Sequence, residues 1–165
     1  MSLLNKEASG EELIEAILYY KEQLYRIAYS YLKNEHDALE AIQEVSCRAY
    51  AGYGRLKNPE YFHTWLIRIM INYCIDELKR KKRQTDNIQN EFTDKVNIDE
   101  NSLYISSLLE GLEPKYRKVI LLKYFEDLTL EQISRVLEKP VGTVKTWLYK
   151  AHQKLKDLLE KEGGL

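Results

Sequence analysis

Polar side chains near the C-terminus recur at helical spacing and have the chemistry to read DNA bases. The set is Thr146, Tyr149, Lys150 and Gln153. At 100° per residue they lie opposite an apolar stripe. That stripe is Val144, Leu148, Ala151 and Leu155. Hydroxyl, amide and ammonium groups can hydrogen-bond to base edges, while an apolar stripe anchors the helix to its own domain. This segment therefore has the two faces that a recognition helix in a major groove requires.

The residues before this helix predict its partner in a helix-turn-helix. Thr129 and Gln132 have the spacing of a capping box, which starts a helix by satisfying its first N–H groups. Ile133, Val136 and Leu137 give that helix an inward face, and Glu138-Lys139-Pro140 ends it. Glu138 stands where many such turns place glycine, so we expect it to adopt a left-handed backbone conformation.

A second polar stripe lies on a long predicted helix over Tyr61–Arg83, most of whose circumference is apolar. The stripe consists of Tyr61, Trp65, Arg68, Asn72, Asp76, Lys79 and Arg83. Its aromatic residues lie at the N-terminal end and its cations towards the other. Such an arrangement suits single-stranded nucleic acid, because bases stack on rings while phosphates meet cations. The residues alone are equally consistent with a solvated face on which Trp65 caps the core.

A third face belongs to a predicted helix over Asp37–Tyr50. Its apolar residues, predicted to be buried, are Ala38, Leu39, Ile42, Val45 and Ala49. Its polar residues, predicted to be exposed, are Asp37, Glu40, Gln43, Glu44 and Arg48. An acidic helical face is usually only solvated, so this pattern by itself supports no function.

The rest of the chain is also predicted to be helical. Among its 165 residues, 44% are hydrophobic and only seven are glycine and three proline, which favours helices over a turn-rich β fold. Helical periodicity predicts further helices over residues 11–33, Leu103–Leu112 and Lys115–Phe125. Residues 51–60, with two glycines and a proline, predict a loop.

Charge is distributed unevenly along the chain, although the total is −1. The net charge is +3 over residues 59–83, −4 over 84–103 and +2 over 104–165. Because helical periodicity also fades over 84–103, we predict a flexible acidic linker there. The sequence thus predicts an all-α fold of two small helical domains, residues 10–83 and 104–162, joined by that linker.

Catalytic and cofactor chemistry find no support in the sequence. His36, His63 and His152 lie on separate segments, and there is no glycine-rich phosphate loop or nucleophile elbow. Cys47 and Cys74 lack metal-ligand spacing and are predicted to be reduced thiols packed on helices. We therefore expect no catalytic residue, no metal and no cofactor. No segment has the length of an apolar membrane span, so a cytoplasmic protein without membrane insertion is expected.

Taken together, these motifs resemble a bacterial sigma factor of the extracytoplasmic-function (ECF) group of the sigma-70 family. HDALEAIQEVSCRAY looks like the helix that docks on the RNA polymerase clamp. FHTWLIRIMINYCIDELKRKKR is similar to the family's −10 helix. LEPKYRKVILLKYFEDLTLEQISRVLEKPVGTVKTWLYKAHQKL is similar to its −35-binding module, and GTVKTWLYKA is its most specific part. The resemblance covers residues 12–83 and 104–160. The chain departs from the family at ALEAI, where a more acidic sequence is common, and at Trp147 and His152, where arginine is frequent.

The resemblance implies a role for each face. Region 2, within residues 10–83, would dock on polymerase through Asp37, Glu40, Gln43 and Glu44. It would bind and melt the −10 element through Arg55, Lys57, Asn58, Tyr61, Trp65, Arg68, Asn72, Lys79 and Arg83. Region 4, within residues 104–162, would bind the −35 element through Thr143, Lys145, Thr146, Tyr149, Lys150, Gln153 and Lys154. The implied partners are the clamp helices and flap of core RNA polymerase, promoter DNA (duplex at −35 and single-stranded at −10) and an anti-sigma factor.

The competing class is a stand-alone helix-turn-helix regulator with a helical effector or dimerisation domain. Such a regulator binds DNA without polymerase, usually as a two-fold dimer on two half-sites. The stripe that contains Trp65 would then have no task. Addition of core polymerase separates the two classes, because only a sigma factor gains promoter-specific initiation from it. An enzyme is the third class, and the absence of catalytic motifs disfavours it.

Overall fold

The structure, a computed structural model, describes residues 4–85 and 108–163. All regular secondary structure in these residues is helical, which confirms the predicted all-α class. The chain separates into two compact units, one from each described range. The predicted flexible linker falls almost entirely outside the described residues. Within them, no helix is both long and apolar enough to cross a membrane.

The N-terminal unit is a bundle in which the second, third and fourth helices pack against one another. Its helices are α1 (Gly10–Tyr19), α2 (Lys21–Leu32), α3 (Glu35–Gly52) and α4 (Phe62–Thr85). Two 3-10 turns, Tyr53–Arg55 and Pro59–Tyr61, connect α3 to α4. The core of the bundle includes Leu24, Val45, Leu66, Ile67 and Met70. Burial of apolar side chains such as these is the dominant favourable term in folding.

Side-chain caps set the helix starts in this unit. Ser9 and Glu12 form a capping box at α1, with both hydrogen bonds at 3.2 Å. At α3, the Asn34 side chain accepts a hydrogen bond from the Asp37 N–H at 2.9 Å. Lys33, with a left-handed backbone, ends α2 just before that cap.

The prediction of one continuous helix over residues 11–33 is wrong. Helix α1 ends at Tyr19 and α2 begins at Lys21, with Tyr20 outside helical geometry at the junction. The break places the Tyr20 ring on His63 of α4, with ring centroids 4.2 Å apart. A one-residue break leaves the apolar spacing nearly intact, so periodicity could not reveal it.

On α3 the prediction holds for Ala38, Ile42, Val45 and Ala49, which are buried, but it is wrong for Leu39. The Leu39 side chain is 44% exposed, and the neighbouring inward position is taken by Ala41. Leu39 lies about 100° around the helix from Ala38, outside the buried stripe. Of the two cysteines that were predicted to pack on helices, Cys74 is buried as expected, whereas Cys47 is exposed.

In its described residues, the C-terminal unit contains three helices that follow a helical segment ending at residue 110. They are α5 (Pro114–Ile120), α6 (Leu130–Leu137) and α7 (Val141–Gly163). The helix predicted over Lys115–Phe125 is α-helical only as far as Ile120, and a π turn follows over Leu121–Phe125. One part of the core joins Leu112, Tyr116, Ile120 and Ala151, with Trp147, Leu148 and Leu155 packed against it. The N-terminal part of the helix predicted over Leu103–Leu112 lies outside the described residues.

Candidate nucleic-acid interface

The predicted helix-turn-helix is formed by α6 and α7. The Thr129 side chain accepts from the Gln132 N–H at 3.1 Å, and Gln132 accepts from the Thr129 N–H at 2.9 Å. This confirms the capping box. Glu138 ends α6 with φ 56° and ψ 44°, which confirms its left-handed conformation. The turn then leads directly into α7, the candidate recognition helix.

The two faces of α7 are divided as predicted. Val144 and Ala151 are fully buried, while Leu148 and Leu155 are half-buried against the domain. The exposed residues of the candidate DNA face are Lys145, Thr146, Tyr149, Lys150, Gln153 and Lys154, and Thr143 is half-exposed. The buried stripe therefore fixes the helix and leaves its polar face accessible.

Two side-chain hydrogen bonds order this polar face. The Gln153 amide nitrogen donates to the Tyr149 hydroxyl at 2.8 Å. The Thr146 hydroxyl donates to the backbone carbonyl of Gly142 at 3.0 Å. The Tyr149 proton and the Gln153 carbonyl oxygen remain as a donor and an acceptor that can meet a base edge.

Lys154 differs electrostatically from the other cations of this face. Its Nζ lies 2.7 Å from a carboxylate oxygen of Glu113 and 5.0 Å from the centre of the Tyr116 ring. The hydrogen bond raises the pKa of Lys154 and lowers that of Glu113. Lys154 thus ties α7 to the start of α5, a contact that its place on the helix did not reveal.

Trp147 and His152 flank the recognition face. Trp147 is half-buried and packs on the domain core. His152 pairs through Nε2 with the hydroxyl of Tyr124 at 2.6 Å. This link between α7 and the π turn joins residues 28 positions apart, so the sequence offered no signal for it.

The stripe on α4 is accessible along its length. Tyr61, Asn72, Lys79 and Arg83 are exposed, whereas Trp65 and Arg68 are half-buried. The Trp65 ring lies 5.9 Å from the Phe62 ring, centre to centre. It also lies against Gly52, where an added Cβ would come within 3.4 Å of the indole. Trp65 is therefore partly packed and partly open, a ring held in place at the surface.

The loop beside this ring carries the remaining candidate residues. Arg55, Lys57 and Asn58 are all exposed between α3 and α4. Since the loop follows directly from Gly52, its start lies next to Trp65. The structure thus brings two cations and an amide to the aromatic end of the α4 stripe, as single-strand binding requires.

His63, at the same end of α4, faces inward. It stacks on Tyr20 and forms a hydrogen bond with Gln23. Burial lowers the pKa of His63, so its imidazole is neutral near pH 7. This histidine joins α2 to α4 and does not belong to the exposed stripe.

The acidic face of α3 is only partly free. Glu40, Gln43 and Glu44 are exposed, but Asp37 is half-buried and forms an ion pair with Lys81 of α4. Glu44 pairs with Arg48 at 3.1 Å along its own helix. His36, Asp37 and Glu40 approach one another within 4.8 Å, but an acidic group at a solvated helix end is common without a metal.

Comparison with known families identifies both units. Residues 16–84 match the family described as sigma-70 region 2, and residues 102–155 match sigma-70, region 4. The two regions occur in this order on one chain and define its class, the sigma-70 proteins.

Curated relatives narrow the assignment. The chain is 34% identical over 160 residues to RNA polymerase sigma factor SigV of Bacillus subtilis, covering 95% of this chain and 96% of that one. It is 31% identical over 174 residues to ECF RNA polymerase sigma factor SigW of the same organism, covering 93% of this chain and 92% of SigW. The chain belongs to the ECF group of the sigma-70 family.

Solved structures share the fold. CnrH in complex with the cytosolic domain of CnrY is similar with a TM-score of 0.73 and 20% identity, covering 96% of this chain and 94% of that one. The sigma factor RpoE in complex with the anti-sigma factor NepR, from Bartonella quintana, is similar with a TM-score of 0.72 and 20% identity, covering 92% of this chain and 99% of that one.

Proposed function

We propose that this protein binds core RNA polymerase and directs it to promoters, with the N-terminal unit on the −10 element and α7 on the −35 element. The observation that carries the proposal is the exposed polar face of α7 opposite its buried stripe, on a chain of the ECF group. Catalysis is left to the polymerase, and the protein acts where polymerase acts, in the cytoplasm.

At the −35 element, α7 enters the major groove of duplex DNA. Thr146, Tyr149, Lys150 and Gln153 face the base edges, supported by the exposure of all four. Thr143, Lys145 and Lys154 lie at the flanks and contact phosphates. Phosphate contacts set affinity and register, whereas base contacts set sequence preference.

At the −10 element, unpaired bases bind to the α4 stripe and the adjoining loop. Trp65 and Tyr61 offer rings on which bases stack, and the loop cations Arg55 and Lys57 meet phosphates. Asn58, Arg68, Asn72, Lys79 and Arg83 complete this binding surface. The support for this assignment is that the Trp65 ring is partly exposed while Phe62 and Gly52 hold it in place.

Polymerase docks on α3, where Glu40, Gln43 and Glu44 form an exposed, largely acidic face. Asp37, which was also expected at this face, is instead paired with Lys81 and is left out of the proposed contact. The clamp helices are the partner of this face, and the flap is the partner of the C-terminal unit. An anti-sigma factor covers these surfaces in the inactive state. The support for an anti-sigma factor is that both solved structures of similar fold are complexes, CnrH with the cytosolic domain of CnrY and RpoE with the anti-sigma factor NepR.

Run-off transcription tests the proposal as a whole. Genomic fragments are transcribed by core polymerase with and without the protein, and specific transcripts are expected only when both are present. Binding of the protein alone to paired half-sites, with no gain from polymerase, would instead establish the stand-alone regulator.

Trp65→Ala tests the −10 assignment. Stacking of a base on an aromatic ring is worth about 1–3 kcal/mol, so open complexes should fall more on a duplex promoter than on a pre-melted bubble. Permanganate reactivity of −10 thymines measures opening, and a thermal melt measures folding. A destabilised variant with equal losses on both templates would return Trp65 to a packing role.

A further inference from the structure

An ordered turn precedes α1 and packs against the end of α3. The Ala8 N–H donates to the Asn5 carbonyl at 3.1 Å, and the Glu7 N–H donates to the Asn5 side chain at 3.0 Å. Leu4 is only 6% exposed, so this turn is anchored by an apolar side chain. The capping box at Ser9 then carries the chain directly into α1.

Tyr53 connects this turn to the loop between α3 and α4. Its hydroxyl donates to the Asn5 carbonyl at 2.7 Å, across 48 positions of sequence. The same residue begins the 3-10 turn Tyr53–Arg55, which opens the loop that carries the candidate −10 residues. A contact at Tyr53 therefore sets where that loop starts.

The Tyr53 ring continues the connection to Trp65. It is only 9% exposed and meets the Phe62 ring edge-on, with centroids 5.9 Å apart. Phe62 in turn lies 5.9 Å from Trp65. An unbroken series of contacts runs from the N-terminal turn to the exposed aromatic ring of the α4 stripe.

Packing alone does not account for a tyrosine at position 53. Phenylalanine would fill the same space without a hydroxyl to desolvate, and a buried hydroxyl costs free energy unless it is hydrogen-bonded. The Asn5 carbonyl provides that bond. The turn also lies before residue 16, where the match to sigma-70 region 2 begins, so the region 2 match gives it no role.

We propose that residues 4–9 form a brace that acts through Tyr53 to hold the 53–61 loop and Trp65 in the orientation that captures unpaired −10 bases. Tyr53 and Leu4 are positioning residues in this scheme, since both side chains are buried. The inference rests on the −10 role proposed above and adds to it a segment outside the matched region.

The test uses holoenzyme assembled from core polymerase and the full chain, on a promoter recovered by the run-off experiment. Tyr53→Phe removes only the hydroxyl, and Leu4→Ala loosens the other end of the brace. Each should lower open-complex formation on the duplex promoter about three- to tenfold, and less on a pre-melted bubble. Tyr19→Phe, which removes a hydroxyl from an exposed tyrosine of the same unit, should have no effect.

Protection of the −35 element and the thermal melt of the free protein separate positioning from folding. Unchanged −35 protection with a reduced duplex-to-bubble ratio, measured well below the melting temperature, supports the brace. A lower melting temperature with the wild-type ratio would overturn it, and so would variants identical to wild type in both. A wild-type protein that opens no promoter with polymerase would overturn the proposed function itself, and the brace with it.

Discussion

Lys150 and Lys154 lie about one turn apart on α7 in different electrostatic surroundings. Lys154 is hydrogen-bonded to Glu113, so part of its charge is already balanced within the domain. A cation that must leave an internal partner gains less from a phosphate than one that meets it directly. Similar positions on a helix therefore do not imply similar contributions to DNA binding.

Lys150→Ala is expected to weaken binding to a −35 duplex by about 1–3 kcal/mol and to relax preference at one base position. Lys154→Ala should weaken binding less, evenly across sequences, and lower the melting temperature of the C-terminal unit. Selection from a randomised −35 library measures preference, and anisotropy titration measures affinity. Lys156→Ala, an exposed change on the same helix, is the control. A larger loss from Lys154→Ala would contradict this ranking.

Asp37 of α3 is also engaged within its own domain, because it forms an ion pair with Lys81 of α4. Asp37→Lys and Lys81→Asp should each destabilise the N-terminal unit by about 1 kcal/mol. The double swap should recover part of the loss, because the pair is re-formed while a lysine in the first turn of α3 still opposes the helix dipole. Thermal melts measure this. A double swap whose loss of stability equals the sum of the two single losses would show that the pair makes no contribution.

Polymerase pull-down separates this structural role from docking. Glu44→Lys should weaken binding to core polymerase and leave the melt unchanged, because Glu44 is exposed and like charges across an interface are costly. The Asp37–Lys81 swap should bind polymerase as wild type does. Loss of polymerase binding by a swapped variant that remains folded would indicate that Asp37 contacts polymerase.

At the scale of elements, caps and turns set the angle at which each helix leaves its neighbour. Glu138 is one of three non-glycine residues with positive φ among those described, along with Lys33 and Asp127. A side chain in this conformation is strained, and glycine is not. The turn of the helix-turn-helix therefore carries backbone strain at its corner residue.

Glu138→Gly is expected to raise the free energy of unfolding of the C-terminal unit by up to about 1 kcal/mol, as the left-handed backbone no longer crowds a Cβ. Denaturant unfolding followed by circular dichroism measures the change. The neighbouring Lys139→Gly is the matched control and should destabilise, because its φ is not positive. A destabilised Glu138→Gly variant would mean that contacts of the glutamate side chain outweigh the strain.

At the scale of the whole molecule, each unit has its own hydrophobic core and carries its own candidate DNA surface. This separation predicts independent contributions to initiation. On one promoter, the effects of Trp65→Ala and Lys150→Ala on transcript yield should add in free energy within about 0.5 kcal/mol. Run-off assays of both single variants and the double variant measure this. Lys150→Ala with Gln153→Ala, on one face of α7, should depart from additivity, and strong coupling between Trp65 and Lys150 would contradict independence.

The sequence by itself determined the features that depend on near neighbours. The capping box at Thr129, the left-handed Glu138 and the two faces of α7 follow from residues at most a few positions apart. Helical spacing also located the α4 stripe and all but one of the residues that α3 buries. Local hydrogen bonding and a period of 100° per residue are sufficient for such features, because every atom involved belongs to the same or the next turn.

Only the tertiary structure decided which polar side chains already have a partner in another part of the chain. The pairs concerned are Asp37 with Lys81, Glu113 with Lys154, Tyr124 with His152, and Tyr53 with Asn5. The break at Tyr20 has the same origin, since its ring stacks on a residue of another helix. These partners lie 28 to 48 positions apart along the chain. Contacts at such separations depend on how helices pack, and helical periodicity carries no information about the packing partner.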